Sequence, residues 1–307
     1  MRAVIIRSFG GPEVLEIAEV PTPSPGPGEI RVRVTAAAVN PVDLQTRSGA
    51  LARAGIMAPR AVTGLGWDVS GVVDAVGAGV TAFGPGERVI GLSDRPGLSL
   101  KTQAEFVLLE ATAAAHLPGG ADPVAAATLP LNALTAAQAL DLVPAAARAT
   151  ILVTGAAGAV GGYAVELAAR TGARVVAVAA ERDAALVRAL GAAHHVPRTA
   201  AAEAVRALVP GGVDAVIDAA NLGIRAMDAV RGGGTYVGVL GSPPPPLRGI
   251  RVANVWIRAD GERLASLAAA GLTLRVAGTL PLPHVAEAHR RLEAGGLRGR
   301  LVLLAEQ

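Results

Sequence analysis

Short apolar runs broken by Gly and Pro fill residues 1–115. "MRAVIIR", "VLEIAEV", "EIRVRVTAAAV", "DVSGVVDAVG" and "ERVIGL" have strand length and strand composition, and turn-rich "PTPSPGPGE" (21–29) connects two of them. "ADPVAAATLPLNALTAAQALDLV" (121–143) then changes to helical composition. From residue 150 the pattern alternates: strand "TILVTG", helix "AVGGYAVELAARTGA", strand "RVVAVAA", helix "RDAALVRALGA", then strands "VDAVIDAA" and "GTYVGVLG". Strands alternating with helices predict βαβ units and a parallel sheet, because each parallel pairing needs a crossover. The closing segment adds helices "GERLASLAAAGL" and "HVAEAHRRLEAGG" and a final strand "GRLVLLAE". No fixed-period repeat is present. The pattern predicts an α/β protein with a β-rich part followed by a doubly wound one.

Composition narrows this picture. The 307 residues are 51% hydrophobic but only 2% aromatic, so Ala, Val and Leu fill the core. Lys101 is the only lysine, and the formal net charge of +3 is too small to mark a nucleic-acid or membrane surface. There is no cysteine, which excludes disulfides, thiolate nucleophiles and Cys-built zinc sites. The amino-terminal segment alternates and carries charge, unlike a signal peptide, and no stretch reaches about 20 uninterrupted apolar residues. These features predict a soluble cytoplasmic protein.

The candidate chemistry lies in "ILVTGAAGAVGG" (151–162). Gly155, Gly158 and Gly161 fall at a strand-to-helix turn within a βαβ unit, the context in which a glycine pattern signifies dinucleotide binding. Gly155 permits the tight turn, Gly158 lets backbone approach a pyrophosphate, and Gly161 lets the helix pack on the strand. The backbone of Ala157, Ala159 and Val160 completes the phosphate-facing turn at the positive end of the helix. An acidic residue at the end of the second strand would select NAD, but Ala179 and Ala180 stand there. Glu181 follows late, and Arg182 and Arg198 suit a 2′-phosphate, so the reading is NADPH.

Several further segments occur in a distinctive order: "AAAVNPVDLQTRSG" (36–49), "GWDVSGVVDAVGAGVTAFGPGERVIG" (66–91), "AEFVLL", "LPLNALTAAQAL", "TGAAGAVGG" and "GRLVLL". Together they resemble the medium-chain dehydrogenase/reductase superfamily, in its zinc-independent, quinone oxidoreductase-like branch. The resemblance covers nearly the whole chain. It implies a GroES-like β-rich catalytic domain at 1–117 and 259–307, a Rossmann domain at 118–258, and an active site in the cleft. It also implies a homodimer, for which "IRVANVWIR" (250–258) is the candidate edge strand. Asn40 and Trp67 stand where zinc-dependent relatives have a Cys and a His ligand, so no metal is expected and alcohol oxidation is disfavoured. A conjugated carbonyl acceptor fits better, because negative charge delocalises onto its oxygen.

By the same resemblance, Asn40 is placed near nicotinamide and substrate, as an oxyanion donor or as an Asx turn before Pro41. Asp43 matches a family acid that is either catalytic or ties down the loop. Thr135 approaches the nicotinamide or bonds helix backbone. Backbone at Ala219, Leu240 and Gly241 contacts ribose and carboxamide. Trp67 either walls the pocket or packs. Gln45 and Leu51 replace tyrosines common in quinone oxidoreductases, so no proton donor is identified; Lys101 is the only lysine available. The function expected is NADPH-dependent hydride transfer to a quinone-type conjugated carbonyl. The alternatives are an enone or enoyl reductase of a biosynthetic pathway, or an NADPH-binding non-redox pathway enzyme or structural or RNA-binding module. The arginine-rich "HRRLEAGGLRGR" (289–300) reads as a solvated helix face rather than a nucleic-acid site.

Overall fold

Alternation gives way to continuous burial along "EIRVRVTAAAV", and this segment becomes the central strand of the first unit. The computed structural model describes residues 1–198 and 201–305. Its chain divides into one unit of residues 1–131 with 258–307 and a second of 132–257.

In the first unit, β1 (Arg2–Ile6), β2 (Glu16–Glu19) and β4 (Thr63–Gly64) form a small antiparallel sheet around β1, and β3 is Glu29–Val39. β3 is followed by α1 (Pro41–Arg47) and α2 (Ala50–Arg53). β5 (Asp68–Val76), β6 (Arg88–Leu92), β7 (Phe106–Glu110) and β8 (Ala114–His116) complete the N-terminal strands. α3 (Pro123–Ala126) packs on β3 and β5, with Ala36, Ala127 and Val302 in one buried cluster and Val124 against it. That packing keeps residues 118–131 with the first unit, whereas the sequence reading ended the β-rich domain at 117. α4 (Pro130–Asp141) leads into the second unit.

The second unit carries β9 (Thr150–Thr154), α5 (Ala159–Arg170), β10 (Arg174–Ala179), α6 (Ala184–Ala189), β11 (His194–Pro197) and α7 (Ala201–Leu208). It continues with β12 (Val213–Asp218), α8 (Ile224–Met227), β13 (Val230–Gly238) and β14 (Arg251–Asn254). All pairings are parallel, in the order β11-β10-β9-β12-β13-β14. Numbered within the unit this is 3-2-1-4-5-6, the doubly wound order, with its switch point between β9 and β12. Val, Ala and Ile fill the inner strands β9, β10 and β12, which are buried on both faces as parallel strands covered by helices are, while the edge strands β11 and β14 stay partly exposed.

The chain then returns to the first unit with α9 (Gly261–Ala269), β15 (Val276–Pro281), α10 (Val285–Ala294) and β16 (Arg300–Leu304). β3 organises the larger sheet. One edge pairs with β5; the other is shared by β7 along residues 29–33 and β16 along 36–39. The carboxyl end of β3 therefore has the start of β5 on one side and the start of β16 on the other.

Candidate active site

The second unit gathers its candidate residues at one end of its sheet. Thr154 is in register with Asp218, and Asp218 with Gly238. The turns after these strand ends hold Gly155–Val160, Ala219, Leu240 and Gly241. Ala179 is in register with Pro197, so Arg182 and Arg198 follow neighbouring strand ends, and both are exposed. Ligands of open α/β sheets bind outside the carboxyl ends of the strands at the switch point.

The glycine turn has the geometry that a dinucleotide needs. Gly155 has φ +58°, a conformation that side chains resist. A Cβ on Gly161 would lie 2.2 Å from the Gly155 carbonyl oxygen, so helix and turn approach more closely than any other residue allows. Gly158 caps α5 with extended backbone, and the twelve-residue helix starts there with its first N–H groups directed at the turn.

Side chains beneath this turn brace it. Thr154 Oγ1 donates to Asp218 Oδ1 at 2.5 Å and accepts from the Ala220 N–H at 3.0 Å. Asp218 Oδ2 accepts from the Tyr236 hydroxyl at 2.7 Å and the Gly223 N–H at 2.8 Å. Burial, then the Asp218 carboxylate, push the Tyr236 phenol well above its ordinary range. Thr135 is buried in α4.

In the first unit the candidate residues lie at the end of β3. Asn40 caps α1 and Asp43 ties back to it: the Asn40 N–H donates to Asp43 Oδ2 at 2.7 Å, and the Asp43 N–H donates to the Asn40 backbone carbonyl at 2.9 Å. Asp43 Oδ1 accepts from the Gly66 N–H at 2.8 Å. Both Asp43 oxygens are thus committed to backbone, the tie-down geometry. The Asn40 amide meets both neighbouring strands, donating to Asp68 Oδ2 at 2.6 Å and accepting from Arg300 Nε at 2.8 Å. Asp68 Oδ1 accepts from the Leu131 N–H at 2.5 Å.

These charges are buried. Desolvation raises the Asp43 carboxyl, against the opposing pull of N–H donors, Lys101 and Arg300. Desolvation pushes Asp68 up to about 7, with Asp43 adding to it and the Leu131, Asn40 and Arg300 interactions resisting. Lys101 is lowered by burial, against attraction from Asp43, Asp94 and Asp68. Its Nζ donates to the Ser93 and Arg95 carbonyls at 2.8 and 3.0 Å and sits 3.9 Å from the centre of the Trp67 ring. Trp67 therefore packs in the core, 1% exposed, as a platform for the ammonium.

Two family models match this chain: an alcohol dehydrogenase GroES-like domain over residues 26–119 and a zinc-binding dehydrogenase over residues 190–303. A chloroplastic NADPH-dependent alkenal/one oxidoreductase of Arabidopsis thaliana is 30% identical over 99% of this chain and 79% of its own length. A quinone oxidoreductase of Lama guanicoe is 30% identical over 99% of this chain and 97% of its own. A mycobacterial protein solved in complex with NADPH superposes with a TM-score of 0.84 at 30% identity, covering 99% of this chain and 100% of that one. The chain belongs to the medium-chain dehydrogenase/reductase superfamily, in its quinone oxidoreductase-like branch. It is an oxidoreductase of that superfamily.

The sequence contains no cysteine, and Lys101 Nζ stacks over the Trp67 ring. Among the described residues, no three His, Cys, Asp or Glu side chains converge as a metal-binding group. Gln45 and Leu51 lie in α1 and α2, while Tyr163 and Tyr236 are buried in α5 and β13. "HRRLEAGGLRGR" is not uniformly solvated: Arg290, Arg291 and Arg298 are exposed, but His289 and Arg300 are buried. Sequence reasoning placed Asp68 beside Trp67 in the segment that replaces a zinc-ligand region but gave it no role, and it missed Arg300, Thr154, Asp218 and Tyr236 as site residues. Asp218 carried a signal, an acid closing the apolar run "AVID". Arg300, opening the apolar strand "RLVLL", carried a similar one.

Proposed function

We propose that this protein is an NADPH-dependent, zinc-independent reductase of conjugated carbonyl compounds, with quinones as the first acceptor class. The glycine turn carries the reading: a left-handed Gly155, a Gly161 approach closed to any side chain, and a helix N-terminus at the sheet's switch point suit a pyrophosphate. Arg182 and Arg198, after adjacent strand ends, supply guanidinium groups for the 2′-phosphate. Ala219, Leu240 and Gly241 offer backbone to the ribose and carboxamide, and Thr135 faces the nicotinamide. The bound cofactor supplies the hydride.

The chain's own task is positioning and charge stabilisation. Asn40 donates a hydrogen bond to the acceptor oxygen on which negative charge collects. Asp43 holds the loop that carries Asn40 and takes no part in proton transfer, since both its oxygens receive backbone N–H groups. Solvent supplies the proton. An enone is the second acceptor class, favoured by the scarcity of aromatic side chains for stacking a quinone.

Calorimetric titration tests the cofactor assignment. NADPH binds at least about 10-fold more tightly than NADH, and Arg182→Ser with Arg198→Ser removes that preference, a loss of about 1.4 kcal/mol or more. Equal affinity for the two nucleotides in the wild type contradicts the assignment.

A further inference from the structure

The Asn40 carboxamide lies between opposite charges. Its nitrogen faces Asp68 and its oxygen faces Arg300, at 2.6 and 2.8 Å, and exposures are 0% for Asn40 and Asp68 and 9% for Arg300. An amide turned end for end has nearly the same shape, so packing alone selects neither orientation. Here the reversed amide would set its oxygen against a carboxylate and its NH2 against a guanidinium. We propose that Asp68 and Arg300 are positioning residues that lock the Asn40 amide in one orientation and so fix the direction of its N–H groups. This inference rests on the reading of Asn40 as donor to the substrate oxyanion.

The topology that makes the clamp is specific. β3 ends at Val39, with Leu301 of β16 in register with it and β5 on the opposite edge. Asn40 therefore emerges between an acid from one strand and a base from the other. Asp68 cannot be replaced by its amide without loss. Its two oxygens accept from two different donors, the Leu131 N–H and Asn40 Nδ2. An asparagine there has one acceptor oxygen, so either Leu131 or Asn40 loses its partner, or Asn40 turns and confronts Arg300 with a second donor.

Protonation of Asp68 has the same effect as the amide, because the acid also gains a donor. The charged groups acting on Asp68 are Asp43, Arg300 and Lys101. With the carboxyl at about 7, the clamp holds above that pH and loosens below it.

The direct readout is the side-chain amide itself. The chain has four asparagines, Asn40, Asn132, Asn221 and Asn254, so asparagine-selective 15N labelling leaves four NH2 pairs to assign. The Asn40 pair shifts with a midpoint near pH 7 in the wild type, and Asp68→Asn both displaces it and abolishes the titration. An Asn40 pair unmoved by pH and by Asp68→Asn overturns the clamp, whatever the protein's activity. Kinetics give the second arm. Asp68→Asn lowers kcat about 10- to 100-fold, somewhat less than loss of a whole oxyanion donor, and leaves the NADPH dissociation constant within about twofold. Its kcat loses the acid limb near pH 7. In an Asn40→Ala background the same change costs less than about twofold, as one shared role requires.

A folded Asp68→Asn protein with wild-type kcat, or one whose loss persists in full without Asn40, contradicts positioning. Folded Asn40→Ala with wild-type kcat sinks the reading of Asn40 instead and leaves the amide spectrum to judge the clamp. If Asp68→Asn does not fold, Arg300→Lys takes its place: it keeps the charge, withdraws the Nε donor, and is expected to lower kcat about 10-fold.

Discussion

Arg47 Nη1 lies 3.2 Å from His289 Nδ1, and a guanidinium can only donate, so Nδ1 is the acceptor and the ring proton sits on Nε2. Arg47 also pairs with Glu293 and donates to the Gly10 carbonyl at 3.1 Å. Burial, then the Arg47 charge, hold His289 down to about 3, far below its ordinary 6.5. The unfolded chain therefore takes up the His289 proton first as pH falls. Stability from this group is intact above pH 6.5 and is lost progressively between 6.5 and 3. His289→Gln keeps an acceptor for Arg47 and cannot titrate. Its Tm should match the wild type at pH 8 and exceed it increasingly from pH 6 to pH 4, by several degrees at the acid end. Parallel Tm curves across that range contradict the assignment. Asn40 and Asp43 were legible in "NPVD" through resemblance, but their partners were not. Asp68 and Arg300 lie 28 and 260 positions from Asn40, and only the register of three strands brings them together.

At the level of elements, the glycine turn makes two contrasting predictions. Gly161→Ala puts a methyl group 2.2 Å from the Gly155 carbonyl, so α5 must move; about 1–3 kcal/mol of stability and most NADPH affinity are lost. Gly158→Ala meets only the Gly155 oxygen at 3.1 Å, with extended backbone that any residue adopts. It should fold with a Tm within a few degrees of the wild type yet bind NADPH at least about 10-fold more weakly, because its methyl group occupies the approach of the pyrophosphate. Calorimetry and thermal melts on the pair check both, and wild-type affinity in Gly158→Ala removes the phosphate from this turn.

The elements β9 to α6 and the strands β12 and β13 were legible as apolar runs of strand length and bounded helical patterns, whereas the crossover helix α7 was not. Nor was β11: its four residues "HHVP" carry only one buried apolar side chain, and its place comes from pairing with β10. The helical composition of 121–143 does not by itself show a break. Pro130 starts a new helix there, so α3 and α4 are separate elements.

For the whole molecule, β14 forms one edge of the six-stranded sheet, and Trp256 just beyond it is 46% exposed. We propose that two copies pair along this edge, covering its open backbone groups. Trp256→Arg should shift the elution and scattering mass from dimer to monomer at micromolar concentration without altering far-UV circular dichroism; an unchanged dimer places the interface elsewhere. The family was legible from motif order alone, and the acceptor was not, because substrate choice lies in side chains that no motif specifies. The measurement that bears most directly on the central claim is nicotinamide absorbance in a matched panel of quinones and 2-enones. The account predicts acceptor-dependent oxidation of NADPH, lowered about 100-fold or more in kcat by Asn40→Ala at unchanged NADPH affinity. Tight NADPH binding with no oxidation by any member of the panel would contradict it.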